Sequence, residues 1–280
     1  MPSLTFRILN VFTQDGGTFT GNPLCVFEDG TALDGSTMQK LARQFNLSET
    51  TFILPSSRAN ARVRIFTPDY EMPFAGHPTL GTAFVCRALG LGGDTLTLEM
   101  QAGIIPVHAV AAHWTLQATP ATWRPVDTPV ATLARMLGLA AADIGAPPLW
   151  VKAGKEQLVI PLRSADAVRR IRVDGETFAA VRSEDGVSMA YVFAETAPGQ
   201  VLARFFFTNG GIAEDPATGS ATANFGGWLL AQNRALPLSY EISQGEYTRR
   251  PSTLLLNVTE DRRILVSGEV IEIGRGTLQT

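Results

Sequence analysis

Three side chains that can carry protons stand near the predicted starts of helices or strands. His77 lies between Gly76 and Pro78, and Asp215 comes directly before Pro216. Glu49 follows an amphipathic segment and precedes an apolar one; taken alone, it is typical of a surface residue. Histidine and carboxylates are the usual general acids and bases of enzymes. The residue types therefore favour proton-transfer chemistry.

Both His77 and Asp215 belong to a pattern that occurs twice. An Arg-x-Phe strand at residues 64–66, and again at 204–206, is followed by a loop and by Pro-x-x-Gly-(Ser/Thr)-Ala. The Pro-x-x-Gly-(Ser/Thr)-Ala part begins at Pro78 in the first copy and at Pro216 in the second, about half a chain length apart. A chance match in a chain with 26 Gly and 17 Pro is the alternative. We interpret the pattern as an internal duplication in which Asp215 takes the place of His77.

Each copy is predicted to present the N-terminus of a helix. A proline in the first turn followed by small residues leaves backbone N–H groups open, and this end of a helix favours an anion. Gly76 and Gly219 would let a ligand approach the backbone, and Ser220 would add a hydroxyl. Two such ends could hold a small carboxylate or an enolate oxygen. Ordinary helix starts in a packed domain explain the same pattern equally well.

Hydrophobic periodicity predicts the elements that position these residues. Helices are expected at residues 37–45, 78–89, 130–139, within 166–181, and at 216–231. Short strands are expected between them, which gives an α+β chain. A Pro- and Thr-rich patch at 119–129 reads as a connection between domains. We therefore expect domains at 1–122 and 123–280.

Composition excludes several classes of protein. The 280 residues are 45% apolar and 18% charged, which suits two folded domains rather than disorder. The net charge of −3 and the absence of a basic cluster argue against a nucleic-acid partner. Residues 101–123 lack charges but are too polar to span a membrane, so we expect no membrane association. The two cysteines fit a reducing compartment, and we expect a cytoplasmic protein.

Nothing in the sequence indicates a cofactor. His108 and His113 have no acidic or thiol companions at metal-ligand spacing, so no metal is expected. No Gly-x-Gly-x-x-Gly motif follows a strand and opens a helix, which argues against a dinucleotide site. Glu71 and Glu214 flank the duplicated motifs, and they fit either structural hydrogen bonds or the site itself.

Four sequence blocks carry a resemblance to a known family. They are Thr20-Gly21-Asn22-Pro23-Leu24, Leu47-Ser48-Glu49-Thr50, Phe74-Ala75-Gly76-His77-Pro78-Thr79-Leu80-Gly81 and Glu214-Asp215-Pro216-Ala217-Thr218-Gly219-Ser220-Ala221. Together they resemble the phenazine-biosynthesis isomerase (PhzF-like) family. The likeness runs from about residue 10 to residue 273. The block that contains His77-Pro78 and the block that contains Asp215-Pro216 are together highly specific for this family.

The resemblance implies a diaminopimelate-epimerase-like fold. That fold has two pseudo-symmetric α+β domains, each a curved, mostly antiparallel sheet around a central helix, with the active site in the cleft between them. The central helices would begin at Pro78 and Pro216. The last one or two strands of the chain would be free to return to the first domain. A homodimer is expected from the resemblance only.

The resemblance also implies roles for individual residues. Glu49 matches the family's general acid/base, and His77, Asp215 and Ser220 match its other active-site residues. Gly76 and Gly219 would line the anion site, and Thr218 and Asn22 would be further substrate-binding residues. The implied activity is the cofactor-independent isomerisation of a small carboxylate-bearing molecule, as in phenazine biosynthesis, where a dihydro-hydroxyanthranilate is isomerised.

Two other functions remain open at this point. An epimerase or racemase of the same fold would use a pair of thiols at the two helix starts, but Cys86 and Cys25 lie in a predicted helix and an apolar strand. A non-catalytic small-molecule binder would be expected to lose Glu49, His77 or Asp215. The chain keeps all three, which favours an enzyme.

Overall fold

The computed structural model describes residues 3–279, which form two compact units. One consists of residues 3–117 with 267–279, and the other of residues 118–266. The sequence-based expectation set the boundary between residues 122 and 123; the structure sets it a few residues earlier and assigns the C-terminal segment to the first unit. Both units are built mainly from strands, with one long buried helix each.

The first unit contains most of the N-terminal elements. Its strands are β1 (Ser3–Val11), β2 (Asn22–Phe27), β3 (Glu49–Leu54), β4 (Ala61–Phe66), β5 (Glu71–Met72), β6 (Thr95–Met100), β7 (Gly103–Val110) and β8 (His113–Gln117). Its helices are α1 (Gly35–Phe45) and α2 (Gly76–Ala88). Strand β1 pairs antiparallel with β2 and with the C-terminal strand. Helix α2 packs on β1, β2, β3 and β8, and most of its residues are buried.

The second unit repeats this arrangement. Its strands are β9 (Thr122–Pro125), β10 (Leu149–Lys152), β11 (Glu156–Pro161), β12 (Met189–Ala197), β13 (Gln200–Thr208), β14 (Ile212–Asp215), β15 (Leu238–Gln244), β16 (Ser252–Val258) and the start of β17 (Ile264–Gln279). Its helices are α3 (Val130–Met136), α4 (Ala165–Arg170), α5 (Gly175–Ala180) and α6 (Gly219–Ala231), with a short 3-10 turn at Ala141–Asp143. Helix α6 packs on β10, β11 and β16.

The pairing order is the same in both units. Strands β2 and β3 are parallel, as are β11 and β12; the next strands, β4 and β13, add antiparallel and then pair in parallel with β6 and β15. Both central helices are 13 residues long and follow the short strand of their unit. Most residues of each helix are buried, as expected for a helix that packs against several strands. The duplication therefore holds at the level of topology.

The register of the repeat differs from the sequence-based one. Phe66 pairs with Glu71, and Phe206 pairs with Glu214, and both glutamates lie equally far before the first glycine of their central helix. Pro216 therefore corresponds to Pro73. Pro78, by contrast, lies inside α2, and Pro216 lies before α6.

This register changes which side chains are equivalent. The counterpart of His77 is Ser220, because each is the second residue of its central helix. Asp215 corresponds instead to Met72. The predicted equivalence of His77 and Asp215 is wrong because a short Gly- and Pro-rich pattern was matched. The strand pairing is what sets the register.

Candidate active site

The first unit brings Glu49 and His77 together. Glu49 is the first residue of β3, and His77 is the second residue of α2. Glu49 Oε2 lies 3.4 Å from His77 Nε2, and the two side chains are 15% and 7% exposed. The helix start and the strand start thus place a carboxylate and an imidazole side by side in a largely dry environment.

Burial sets the protonation state of His77. The loss of hydration lowers the pKa of His77 to about 3, although a hydrogen bond to the backbone of Pro23 acts in the opposite direction. Proline offers only its carbonyl, so the imidazole N–H must be the donor. Because Nε2 is directed at Glu49, that donor is Nδ1. The neutral ring therefore presents the lone pair of Nε2 to the carboxyl group.

Two further predicted residues lie at starts of elements in the same unit. Gly76 is the first residue of α2, and the preceding Ala75 supplies no side-chain cap to the helix. The first turn of α2 therefore keeps N–H groups available for an anion. Asn22, at the start of β2, is 1% exposed and accepts a hydrogen bond from Ser48 Oγ at 3.3 Å.

In the second unit, a glutamine organises the turn before α6. Thr218 Oγ1 donates a hydrogen bond to Asp215 Oδ2. Gln244 Nε2 donates to the Asp215 carbonyl at 2.9 Å and to Thr218 Oγ1 at 3.0 Å. Gly245 follows with φ +85°, and a Cβ there would lie 2.1 Å from the Arg250 carbonyl oxygen. Glycine is therefore required next to Gln244, which holds Asp215 and Thr218 in one conformation.

The start of α6 also lacks a side-chain cap. Thr218 is the N-cap residue but makes no capping hydrogen bond, and Gly219 and Ser220 form the first turn. Ser220 Oγ accepts a hydrogen bond from Gln157 Nε2 at 3.0 Å. Gln157 is 2% exposed, so this contact comes from the interior of the unit. As at the start of α2, backbone N–H groups and a polar side chain stand together.

Glu71 and Glu214 are engaged in structural ion pairs. Arg64 Nε and Nη2 donate to the two Glu71 oxygens at 2.7 Å each. Arg204 makes the same fork with Glu214, at 3.0 and 2.7 Å. Bidentate pairs of this kind fix the geometry of both partners. They hold each short strand, β5 or β14, in place before its central helix.

The thiols lie away from the helix starts. Cys25 and Cys86 are fully buried. Burial raises the pKa of the Cys86 thiol to about 12, and it raises the pKa of Cys25 as well. Both cysteines therefore remain protonated and unreactive at neutral pH.

Within residues 3–279, no group of three or more His, Cys, Asp or Glu side chains is arranged to hold a metal ion. None of the helices in this range combines the length and the apolar character needed to cross a membrane.

The structure thus forms two groups from the predicted residues. Glu49, His77, Gly76 and Asn22 belong to the first unit, while the second contains Asp215, Thr218, Gly219 and Ser220. Sequence reasoning missed Gln157 and Asn224, which support the second group. The available signal was Asn224 itself, because a polar residue within an apolar helix needs a buried hydrogen-bond partner.

Comparison with known proteins shows which family the chain resembles. The family model described as phenazine biosynthesis-like protein matches residues 9–276. An uncharacterized isomerase of Pasteurella multocida is 38% identical over 98% of this chain and 93% of its own length. The trans-2,3-dihydro-3-hydroxyanthranilate isomerase of Pseudomonas aeruginosa is 35% identical over 89% of this chain and 88% of its own.

A solved structure supports the fold. The Bacillus anthracis phenazine biosynthesis protein of the PhzF family superimposes with a TM-score of 0.88 at 24% identity, over 100% of both chains. The fold, the matched family model and the curated relatives lead to one assignment. The chain belongs to the phenazine biosynthesis-like (PhzC-PhzF) family, and its relatives identify it as an isomerase.

Proposed function

We propose that this chain is a cofactor-independent isomerase that moves a proton on a small carboxylate-bearing substrate, with Glu49 as general acid and base. The observation that carries the proposal is the contact between Glu49 Oε2 and the neutral His77 ring at 3.4 Å. An imidazole that has no proton at Nε2 can accept a hydrogen bond from Glu49 once that carboxyl group is protonated. His77 thereby stabilises the proton-carrying state of the base.

The proposed reaction contains no redox step. Glu49 takes a proton from an activated C–H bond, and the electron pair moves into the conjugated system of the substrate. The same carboxyl group returns the proton to a different carbon, so that only the position of a double bond changes. A positioned acid/base group contributes roughly 10²–10⁴-fold to the rate of such a step.

The residues at the start of α6 are proposed to hold the negative charge. Gly219 and Ser220 offer N–H groups and a hydroxyl, while Thr218 and Asp215 are fixed by Gln244. At the start of α2, Gly76 has the same character. Hydrogen-bond donors that are already in place stabilise an oxyanion as its charge develops. We propose Asn22 as a further binding residue.

The named relative suggests a substrate to test. Trans-2,3-dihydro-3-hydroxyanthranilate carries a carboxylate beside a conjugated ring with an activated C–H bond, which fits the proposed chemistry. The proposal extends to a cytoplasmic homodimer, which rests on the family resemblance and, for the compartment, on the two buried thiols.

The deciding experiment is an incubation of this substrate in D2O with the wild-type protein and with Glu49→Gln. Ultraviolet absorbance follows the ring system, and mass spectrometry follows deuterium incorporation. We expect turnover with incorporation of deuterium by the wild type and loss of both by Glu49→Gln. Equal activity of the two proteins would remove Glu49 from its proposed role.

Two alternatives make different predictions in the same experiment. A two-thiol epimerase would need cysteines at the central helix starts, where this chain has Gly76-His77 and Gly219-Ser220. A non-catalytic binder would retain the substrate unchanged, with no deuterium uptake by the wild type. Turnover by the wild type alone would therefore separate the isomerase from both.

A further inference from the structure

Behind Ser220 lies a buried chain of two side-chain amides. Asn224, in the middle of α6, is fully buried, and Gln157, in β11, is 2% exposed. Asn224 Nδ2 donates to Gln157 Oε1 at 2.8 Å, and Gln157 Nε2 donates to Ser220 Oγ at 3.0 Å. Polar groups this deep in an apolar unit are costly unless they are hydrogen-bonded.

Backbone groups at the inner end fix the direction of this chain. Asn224 Oδ1 accepts the Ala153 N–H at 2.7 Å, so the oxygen of this amide can only be on that side. Its Nδ2 donates to the Lys155 carbonyl at 2.9 Å as well as to Gln157. A backbone N–H cannot accept and a carbonyl cannot donate, so neither amide can be turned around. Ser220 Oγ must therefore be an acceptor from Gln157.

The fixed direction determines what Ser220 can offer. Ser220 Oγ accepts from the Gln157 amide and does not donate to it, so the Ser220 proton is available to a different acceptor. Within residues 3–279, that proton has no hydrogen-bond acceptor. Hydrogen bonds that run in one direction also polarise each other, which strengthens the terminal donor.

We propose that Gln157 and Asn224 are positioning residues that make Ser220 a dedicated hydrogen-bond donor to the substrate. This inference rests on the proposed function, in which Ser220 meets the substrate. It also narrows the substrate class: the group opposite Ser220 must be an acceptor, such as a carboxylate, carbonyl or enolate oxygen. A substrate that presents an amine or another donor at that point would be disfavoured.

The first unit indicates that the fold does not require the hydrogen-bonded amides of Gln157 and Asn224. By strand register the counterpart of Gln157 is Leu24, and by helix position that of Asn224 is Gly81. A Cβ at Gly81 would lie 2.5 Å from Leu24 Cδ2, so apolar packing replaces the amide pair there. The same sheet and helix therefore assemble without the polar chain, which suits a functional role.

The contact and its direction can be tested without any ligand. In full-length protein labelled with 15N-glutamine, the Gln157 side-chain amide signals are those missing from Gln157→Leu. We expect Ser220→Ala to move one of the two amide protons upfield, because that proton loses its acceptor. If Ser220→Ala leaves both protons unchanged, the proposal is overturned.

Kinetics tests the consequence for catalysis, with Gln157→Glu as the informative variant. The introduced carboxylate can still accept from Asn224 but would also accept from Ser220, which turns the serine proton inward. We expect kcat/KM on trans-2,3-dihydro-3-hydroxyanthranilate to fall about 10- to 100-fold, as in Ser220→Ala, because a hydrogen bond to a charged group is lost. Gln157→Leu, which removes the donor without adding an acceptor, should cost less.

Two readouts distinguish positioning from a merely structural role. In the Ser220→Ala background, Gln157→Glu should have no further effect on kcat/KM, whereas a structural effect would persist and overturn the proposal. Protonation of the introduced carboxyl restores a donor, so the deficit relative to wild type should shrink as pH falls. A deficit that is independent of pH would also count against the inference.

The two proposals can fail separately. If the wild-type protein does not turn over this substrate, the proposed substrate is wrong, and the amide NMR result alone then decides whether Ser220 has the inferred donor direction. If the wild type is active but Gln157→Glu matches it, the positioning role fails while the isomerase stands.

Discussion

The two copies of the repeat place different chemistry at the same point of the fold. In the first unit, the second residue of the central helix is His77, and Glu49 begins the neighbouring strand. In the second unit these positions hold Ser220 and Met189, as the strand register shows. One copy therefore carries the titratable pair, and the other carries a hydroxyl that does not titrate.

The side chains around the second residue of the central helix also differ: they are apolar in the first copy and polar in the second. Leu24 and Gly81 keep the first copy apolar, and burial holds His77 neutral. The second copy replaces them with Gln157 and Asn224, whose amides reach Ser220. One scaffold can therefore carry either a buried carboxylate–imidazole contact or a serine bonded to buried amides, according to two or three interior side chains. The following variants test this division.

The largest effect is expected when the first copy is made like the second at its proposed acid/base position, Glu49. Glu49→Met should lower turnover of trans-2,3-dihydro-3-hydroxyanthranilate about 10³-fold, since the proton acceptor is lost. Met189→Leu is the matched control in the other copy and should stay within twofold of wild type. Steady-state kinetics measures both, and a loss below tenfold for Glu49→Met would contradict the assignment.

The Arg–Glu forks should differ in their contribution to stability. The Arg204 and Glu214 side chains are 9% and 14% exposed, against 23% and 22% for Arg64 and Glu71. Breaking a more buried pair leaves a more costly unpaired charge. We expect Arg204→Met to lower the free energy of unfolding by about 3 kcal/mol and Arg64→Met by about 1 kcal/mol. Urea denaturation measures the difference, and equal losses would refute it.

The pH dependence of stability should expose the buried imidazole. His77 has a lowered pKa of about 3 when folded and a value near 6.5 when unfolded, so acid protonates the unfolded chain first. Its contribution is complete above the unfolded pKa and is lost as pH falls, by about 2 kcal/mol between pH 7 and pH 5.

Paired variants can isolate this contribution. His77→Gln should show a smaller fall in Tm between pH 7 and pH 5 than wild type, whereas Ser220→Ala, at the equivalent position, should retain the full fall. An identical fall in wild type and His77→Gln would show that His77 is not the group responsible.

The smallest effect concerns the contact between helix and sheet. Thr51 and Thr82 hydroxyls lie 2.8 Å apart in the first copy, where the second has Tyr191 and Phe225 with ring centroids 6.3 Å apart. Thr51→Val removes one hydroxyl, while Thr82 still donates to the Pro78 carbonyl at 2.7 Å. We expect a loss of about 1 kcal/mol in the free energy of unfolding. If thermal denaturation shows that the free energy of unfolding falls by more than 3 kcal/mol, Thr82 alone cannot maintain the contact between α2 and β3.

The sequence predicted the presence of the helices more accurately than the residues at which they begin and end. The expected helix at 216–231 begins at Gly219, because residues 216–218 form the turn that Gln244 holds. The single helix expected within 166–181 is two, since Asp174 caps a new helix at Gly175. Residue periodicity reports the buried face of a helix, but side-chain caps and contacts from distant strands fix where it starts.

The site was predictable only in part, for a related reason. Glu49 and His77 were recognised because their blocks resemble a known family, and their contact depends on where β3 and α2 begin. Gln157 and Asn224 were missed because they come together only through a hydrogen bond between distant parts of the chain. The register of the repeat was misjudged because the turn between the arginine and the glutamate of each fork differs in length between the two copies. Arg64 and Glu71 are closer in sequence than Arg204 and Glu214.

The direction of the amide chain also limits the reactivity of Ser220. A serine becomes a nucleophile when a neighbouring base removes its proton, and a carboxamide does not take up a proton at neutral pH. The group bonded to Ser220 Oγ is the donor side of such an amide. Gln157 therefore cannot serve as the general base that would activate Ser220 for acyl transfer.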